Sequence, residues 1–112
     1  MFILKHVLFL CSKNRLRSPT AERVFADYPG IEVASAGLAP DAIEPLTPEL
    51  VEWADLIFVM EKSHRRKLSR KFRKQLRGQR VICLNIPDEF GFMAPALIER
   101  LRRQVIPALP TG

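Results

Sequence analysis

The sequence predicts an α/β fold in three layers, a four-stranded parallel sheet of order 2-1-3-4 with helices on both faces. Two observations carry this expectation. Apolar, β-rich runs fall at residues 3–10, 31–35, 56–60 and 81–84, each short and continuous as in strands covered on both sides. Helical segments fill the gaps, and regular strand–helix alternation implies parallel strands joined by right-handed crossovers. Ligands of such sheets bind beyond the carboxyl ends of the strands, where the order reverses. Order 2-1-3-4 puts the turn after the first strand at that place.

Each element has its own signals. The first run ends in Val7-Leu8-Phe9-Leu10 and gives way at Cys11. Ser18 reads as an N-cap, Pro19 as the first helical residue and Glu22 as an acid near the first turn. The helix at 19–28 turns Ala21, Val24, Phe25 and Tyr28 to the core, and Pro29-Gly30 stops it. A second helix starts at Thr47-Pro48-Glu49 and offers Leu50, Val51 and Trp53, while Pro40, Pro45 and Pro48 stiffen the connection before it. The third follows Ser63 to a C-cap at Gly78, with Leu68, Phe72 and Leu76 as a narrow apolar stripe. The last begins near Ala94-Pro95 and carries Leu97, Ile98, Leu101 and Val105 inward.

At 112 residues, 47% of them hydrophobic, the chain reads as one domain, residues 1–112, able to fold without metal or disulfide. The opening apolar stretch resembles a leader, but Lys5-His6 interrupts it and bulky Leu10 stands where cleavage before Cys11 needs a small residue. No stretch approaches a membrane span, so the expected location is the cytoplasm, where two cysteines do not make a disulfide framework. His6 and His64 lie far apart without a ligand cluster, so no metal and no cofactor are expected.

The chemistry is concentrated in Cys11-Ser12-Lys13-Asn14-Arg15-Leu16-Arg17-Ser18-Pro19. A strand that breaks into a short loop and then opens a helix leaves backbone N–H groups pointing at the helix N-terminus, where an anion can sit. Cys11 at the base of that loop would face the positive helix end and the guanidinium of Arg17, surroundings in which a thiol serves as a nucleophile. Arg17 could bind two phosphoryl oxygens through its planar fork. Asn14 would hold the loop's shape and Ser18 could donate to the sulfur. The plainer reading is a buried cysteine at an ordinary strand–helix turn. Hydrolysis of a phosphate ester through a cysteine also needs an acid to protonate the departing oxygen. The segment Asn85-Ile86-Pro87-Asp88-Glu89-Phe90-Gly91, beyond the fourth strand, offers two carboxylates, although it also reads as a polar turn.

These residues resemble the low-molecular-weight protein tyrosine phosphatases, whose loop follows Cys-x-x-Asn-x-x-Arg-Ser-Pro. Ala21-Glu22, Phe25, Ser35-Ala36-Gly37, Asp55-Leu56-Ile57 and Met60 extend the likeness along the chain. The resemblance implies a flavodoxin-like, phosphotyrosine protein phosphatase I-like fold and a cysteinyl-phosphate intermediate. It implies Cys11, Arg17 and Asp88 as catalytic residues, residues 12–18 as the phosphate-binding loop, and Phe90 as a wall of the substrate pocket. Glu89 replaces the family's proline, Leu16 stands where many members carry a second cysteine, and the chain is short between Gly37 and Trp53. Lys13 and Arg15 add positive charge at the mouth, which suggests a more anionic substrate. Glu61 occupies an acidic position of the family, and Cys83 reads as a core residue. The substrate would be a phosphorylated protein or a small phosphate ester. Two alternatives stand beside this one: an arsenate reductase-like enzyme, for which one spare cysteine is too few, and a catalytically weak module binding phospho-anions or RNA.

Net charge is +6, and ten of the eighteen Lys and Arg residues lie between Lys62 and Arg80, opposed only by the adjacent Glu61. Such a run could grip nucleic acid, an anionic membrane surface or an acidic protein. Its narrow apolar stripe reads more simply as one side of a solvated helix, and no interleaved aromatic residue provides a base-stacking platform.

Overall fold

The computed structural model describes residues 4–110. Ile3, where the first strand was expected to start, lies outside them, as do the first residues of the leader-like stretch. The elements are β1 (Lys5–Cys11), α1 (Arg17–Phe25), β2 (Ile31–Gly37), α2 (Pro48–Trp53), β3 (Leu56–Val59), α3 (Lys62–Lys71), β4 (Arg80–Cys83) and α4 (Pro95–Val105), closed by a 3-10 turn at Ile106–Ala108. The strands lie in the order β2-β1-β3-β4 and every pairing is parallel, as the alternation predicts. Cys11 pairs with Gly37, Leu10 with Val59 and Val59 with Cys83, so all four strands end at one level.

Strand alternation divides the core into two layers. Val7, Phe9 and Cys11 face α1 and α4 together with Phe25, Phe58, Leu97 and Leu101, whereas Leu8 and Leu10 face α2 and α3 with Val51, Ile57, Val59 and Leu68. Phe9 is fully buried between the rings of Phe25 and Phe58, at centroid distances of 5.8 and 5.3 Å. Burial of a ring of this size contributes roughly 1.5–3 kcal/mol, and it fixes the strand whose end carries Cys11.

Three elements depart from the sequence reading. Helix α1 starts at Arg17 rather than Pro19; its N-cap is Leu16, without a side-chain bond, because the hydroxyl of Ser18 is turned toward Cys11. It also ends at Phe25, with Tyr28 packed edge-on against that ring. Helix α3 stops at Lys71 instead of running to Gly78, though Phe72 and Leu76 still pack on the core. Strand β4 is an edge strand whose Val81, Ile82 and Cys83 are only half-buried, so Cys83 is not an enclosed core residue; its thiol lies 3.4 Å from Oδ1 of Asn85. Among the described residues no helix is long and apolar enough to cross a membrane.

The start of α3 is held by a reciprocal cap. The Glu61 side chain accepts from the backbone of His64, and Nδ1 of His64 accepts from the Glu61 N–H at 3.1 Å. An amide can only donate, so the imidazole proton resides on Nε2, which donates to Oγ of Ser12 at 3.0 Å. His64 is buried, and burial, reinforced by the nearby Arg17 charge, pushes its pKa down to about 4. The unfolded chain therefore binds a proton near pH 6.5 that the folded chain refuses until about pH 4. Stability is complete above the higher value and falls as pH drops between the two, by an amount on the order of 3 kcal/mol. Urea midpoints near neutral pH and at about pH 4.5 should diverge strongly in the wild type and much less in His64→Gln. An equal decline in both proteins would show that His64 is not the group responsible.

Candidate active site

Residues 12–16 leave the end of β1 and enter α1, with Asn14 in the left-handed region at φ 57°. One side of this loop is tied to the connection after β2. The carbonyls of Cys11, Ser12 and Lys13 accept from the N–H groups of Leu38, Ala39 and Ile43 at 2.9, 2.9 and 3.0 Å. With those carbonyls turned outward, the N–H groups of residues 12–16 have no hydrogen-bond partner among the described residues. Close packing makes this possible: a Cβ on Gly37 would stand 2.4 Å from Cβ of Ala42 and 2.6 Å from the carbonyl of Ser12. Only glycine fits between the two chains.

A directed chain of hydrogen bonds reaches the sulfur. Ser35 Oγ donates to the Glu22 carboxylate at 2.5 Å, which leaves that hydroxyl to accept from Nδ2 of Asn14 at 3.0 Å. The same Nδ2 donates to Ser18 Oγ at 2.9 Å. The proton of Ser18 is thereby left for Cys11 Sγ, 2.9 Å away. Asn14 and Ser18 are buried, so the chain is shielded from water. The acid read as a first-turn charge, Glu22, instead anchors this chain.

Arg17 is a buried cation with three partners. Its Nη1 donates to Glu61 Oε2 and to the carbonyl of Ile86, both at 2.7 Å. Its Nε lies 3.7 Å from Oδ1 of Asp88. The Arg17 hydrogen bond holds the Glu61 carboxyl below the usual range, against the opposing effect of burial. No described residue accepts a hydrogen bond from Nε or Nη2, and Arg17 lines the same cavity as Cys11 and Asp88. Ile86 explains how a residue from the far edge strand arrives here. It is fully buried, its N–H donates to the Met60 carbonyl at 2.8 Å, and Asn85 before it turns left-handed at φ 53°. Two residues later the chain sets Asp88 over Arg17.

Cys11, Ser12, Lys13, Arg15, Leu16, Arg17 and Asp88 line one cavity of about 160 Å³. A depression of about 520 Å³ beside Lys5, Glu52, Asp55 and Arg77 is larger. Convergent donors around a sulfur, rather than volume, distinguish the smaller one. Asp88 borders it, whereas exposed Glu89 is not among its lining residues. Phe90 is not among them either; it packs, partly buried, on the α1–α4 core. Lys13 is less free than its place in the sequence suggests, because Nζ reaches both carboxylate oxygens of Asp41 at 2.6 Å. Arg15 is exposed, and no described carboxylate forms an ion pair with it. His64, Asp41 and Ile86 escaped the sequence reading. The His64 cap, four positions beyond an apolar strand and three beyond a glutamate, was the one local signal available.

The sequence profile of the family described as low molecular weight phosphotyrosine protein phosphatase matches residues 6–53, a span that includes Cys11, Arg17 and Ser18 and ends before Asp88. The protein-arginine-phosphatase of Bacillus subtilis is 32% identical over a 93-residue alignment that takes in 59% of this chain. The chain thus matches 62% of the length of that relative. A Bacillus subtilis YwlE mutant superposes with a TM-score of 0.68 at 27% identity, over 88% of this chain and 95% of that one. The tyrosine phosphatase Wzb of Escherichia coli K30, solved with phosphate, gives a TM-score of 0.74 over 91% of this chain and 94% of its own, a likeness of fold at 22% identity. The strand order, the loop and the matched profile agree in their likeness to the low molecular weight phosphotyrosine protein phosphatase family, whose profile this chain matches over residues 6–53.

Proposed function

We propose that the protein hydrolyses phosphate monoesters through a phosphocysteine intermediate on Cys11, within one domain of residues 1–112. The observation that carries the reading is a single cavity lined by Cys11, by Ser12, Lys13, Arg15 and Leu16 of a loop whose N–H groups have no partner among the described residues, by Arg17 and by Asp88. A phosphoryl group seated in the loop would receive those amides on its equatorial oxygens, with Nε and Nη2 of Arg17 binding two of them. The thiolate of Cys11 attacks phosphorus as the bond to the ester oxygen breaks, and Asp88 gives its proton to that oxygen. Asp88, now ionised, takes a proton from water as the water oxygen attacks phosphorus. The sulfur leaves as thiolate, steadied by the Ser18 hydroxyl, and inorganic phosphate departs.

The substrate is read as phosphotyrosine on protein or a small aryl phosphate. The arginine phosphatase relative supports phosphoarginine as a second reading. Arg15 favours the first, because its charge stands at the mouth and would repel the guanidinium portion of a phosphoarginine. Both cysteines are free thiols, which fits work in the reducing cytoplasm.

Three measurements test these assignments. Cys11→Ser should abolish turnover of an aryl phosphate while still binding phosphate or vanadate; substantial residual turnover would exclude the covalent route. Asp88→Asn should slow esters with poor leaving groups by about 10²–10⁴-fold and leave esters with good leaving groups far less affected. Glu89→Gln should change neither, and a leaving-group-dependent loss in that variant would move the acid by one residue. The third measurement compares phosphotyrosine with phosphoarginine as substrates for the wild type: kcat/KM should be higher for phosphotyrosine, and the reverse order would install the second reading.

A further inference from the structure

All ten cations between Lys62 and Arg80 are exposed, and none forms an ion pair with a described carboxylate. Glu61, the acid adjacent to them in sequence, bonds to Arg17. The cations do not form an even coat. Arg65, Arg66, Arg70 and Arg73 border a groove of about 750 Å³ together with Ser69 and half-buried Leu76. Arg66 also borders the adjoining hollow of about 460 Å³, whose other walls are Lys62, Ser63, Asn85, Pro87 and Glu61, the last with its carboxylate bonded to Arg17. Pro87 precedes Asp88, so the groove leads along α3 to the rim of the cavity over Cys11.

We infer that this groove docks an acidic, extended segment of the phosphoprotein substrate, holding it while the phosphorylated side chain enters the Cys11 cavity. The inference rests on the hydrolase reading above. Charge and shape select this partner. Arg66, Arg70 and Arg73 present planar forks suited to Asp and Glu carboxylates, and Arg65, with Nη2 on the Val81 carbonyl, adds charge beside them. Leu76 in the groove offers contact to an apolar side chain between the acids. A single-stranded nucleic acid would need stacking surfaces, and no aromatic residue borders the groove. A membrane surface would need projecting apolar side chains, yet the exposed large hydrophobic residues, Leu4, Ile43, Phe92 and Ile106, all lie outside this segment. Strand addition at the open edge of β4 is also hindered, because Arg65 Nη2 already donates to the Val81 carbonyl. Side-chain capture by arginines is what remains.

The test uses a short fluorescein-labelled peptide of Glu residues interrupted by one Leu, unphosphorylated, followed by fluorescence anisotropy. The wild type should bind it, more weakly at higher salt, and Arg70→Glu/Arg73→Glu should lose about tenfold in affinity. The same double variant should turn over a small aryl phosphate at the wild-type rate and should lose the lower KM that the wild type shows for an acidic over a neutral phosphopeptide. No binding by the wild type, affinity untouched in the variant, or tighter binding of poly(U) RNA or of phosphatidylserine vesicles than of the peptide would overturn the inference. Peptide binding is read without turnover, so the two readings fail separately. Binding without aryl phosphate hydrolysis sinks the hydrolase alone, and hydrolysis without binding sinks the groove alone.

Discussion

A buried guanidinium organises this molecule. Arg17 stands at the first residue of α1 and joins Glu61, just past β3, to the carbonyl of Ile86, just past β4. Three of the four strand ends are thereby gathered around one cation. Removing either partner of a buried pair leaves an uncompensated charge, a loss of about 3–5 kcal/mol where burial is complete. Glu61 is 43% exposed, so the loss here is smaller. The geometric consequence is larger than the energetic one. With Nη1 occupied on two sides, the plane of the fork is fixed where Arg17 lines the cavity with Cys11 and Asp88. His64 completes the arrangement, because it caps α3 against Glu61 and reaches Ser12 within the loop.

The loop depends equally on what lies behind it. Its carbonyls are turned outward by the segment from Leu38 to Ile43, which can approach only because Gly37 has no side chain. The short connection between β2 and α2 therefore serves as the backing that leaves the amides of residues 12–16 unpaired. On the inner side, Nδ2 of Asn14 donates both to Ser35, whose own proton goes to the Glu22 carboxylate, and to Ser18, which lies against Cys11 Sγ. The surroundings of Cys11 are thus set by Asn14 in the loop together with Ser18 and Glu22 on α1 and Ser35 on β2, while the Phe9, Phe25 and Phe58 stack ties α1 to β1 and β3.

The sheet was legible in the sequence because its two central strands, β1 and β3, are buried runs, and the Cys11 loop because its residues are contiguous. Boundaries set by tertiary contacts were not. Ser18 has the identity of an N-cap, yet its hydroxyl serves Cys11, so α1 begins earlier. The apolar stripe of α3 continues through Phe72 and Leu76, which pack on the core beyond the helix, so the stripe does not mark where the helix ends. Lys13 looks free at the mouth until Asp41, distant in sequence, is folded against it. Phe90 follows an acid as an aromatic wall residue would, but Ile86 pins the turn so that Asp88 meets the cavity while Phe90 returns to the core. His64 was set aside as a solitary histidine, and its part emerges only when α3 brings it to Ser12.

Charge is used here in two ways that differ in range. Arg17 is enclosed and partnered, so its field acts over a few ångströms and is little affected by salt. The cations between Lys62 and Arg80 are exposed and lack described ion-pair partners, so their field extends about a Debye length into solvent and weakens as salt rises. Glu61 links the two systems. It is the carboxylate adjacent in sequence to the basic segment, and its bond is to Arg17 rather than to those cations. The interaction that fixes the fork of Arg17 thus engages the one carboxylate adjoining the basic run in sequence, and Glu61 connects the loop to the hollow beside α3 that it borders.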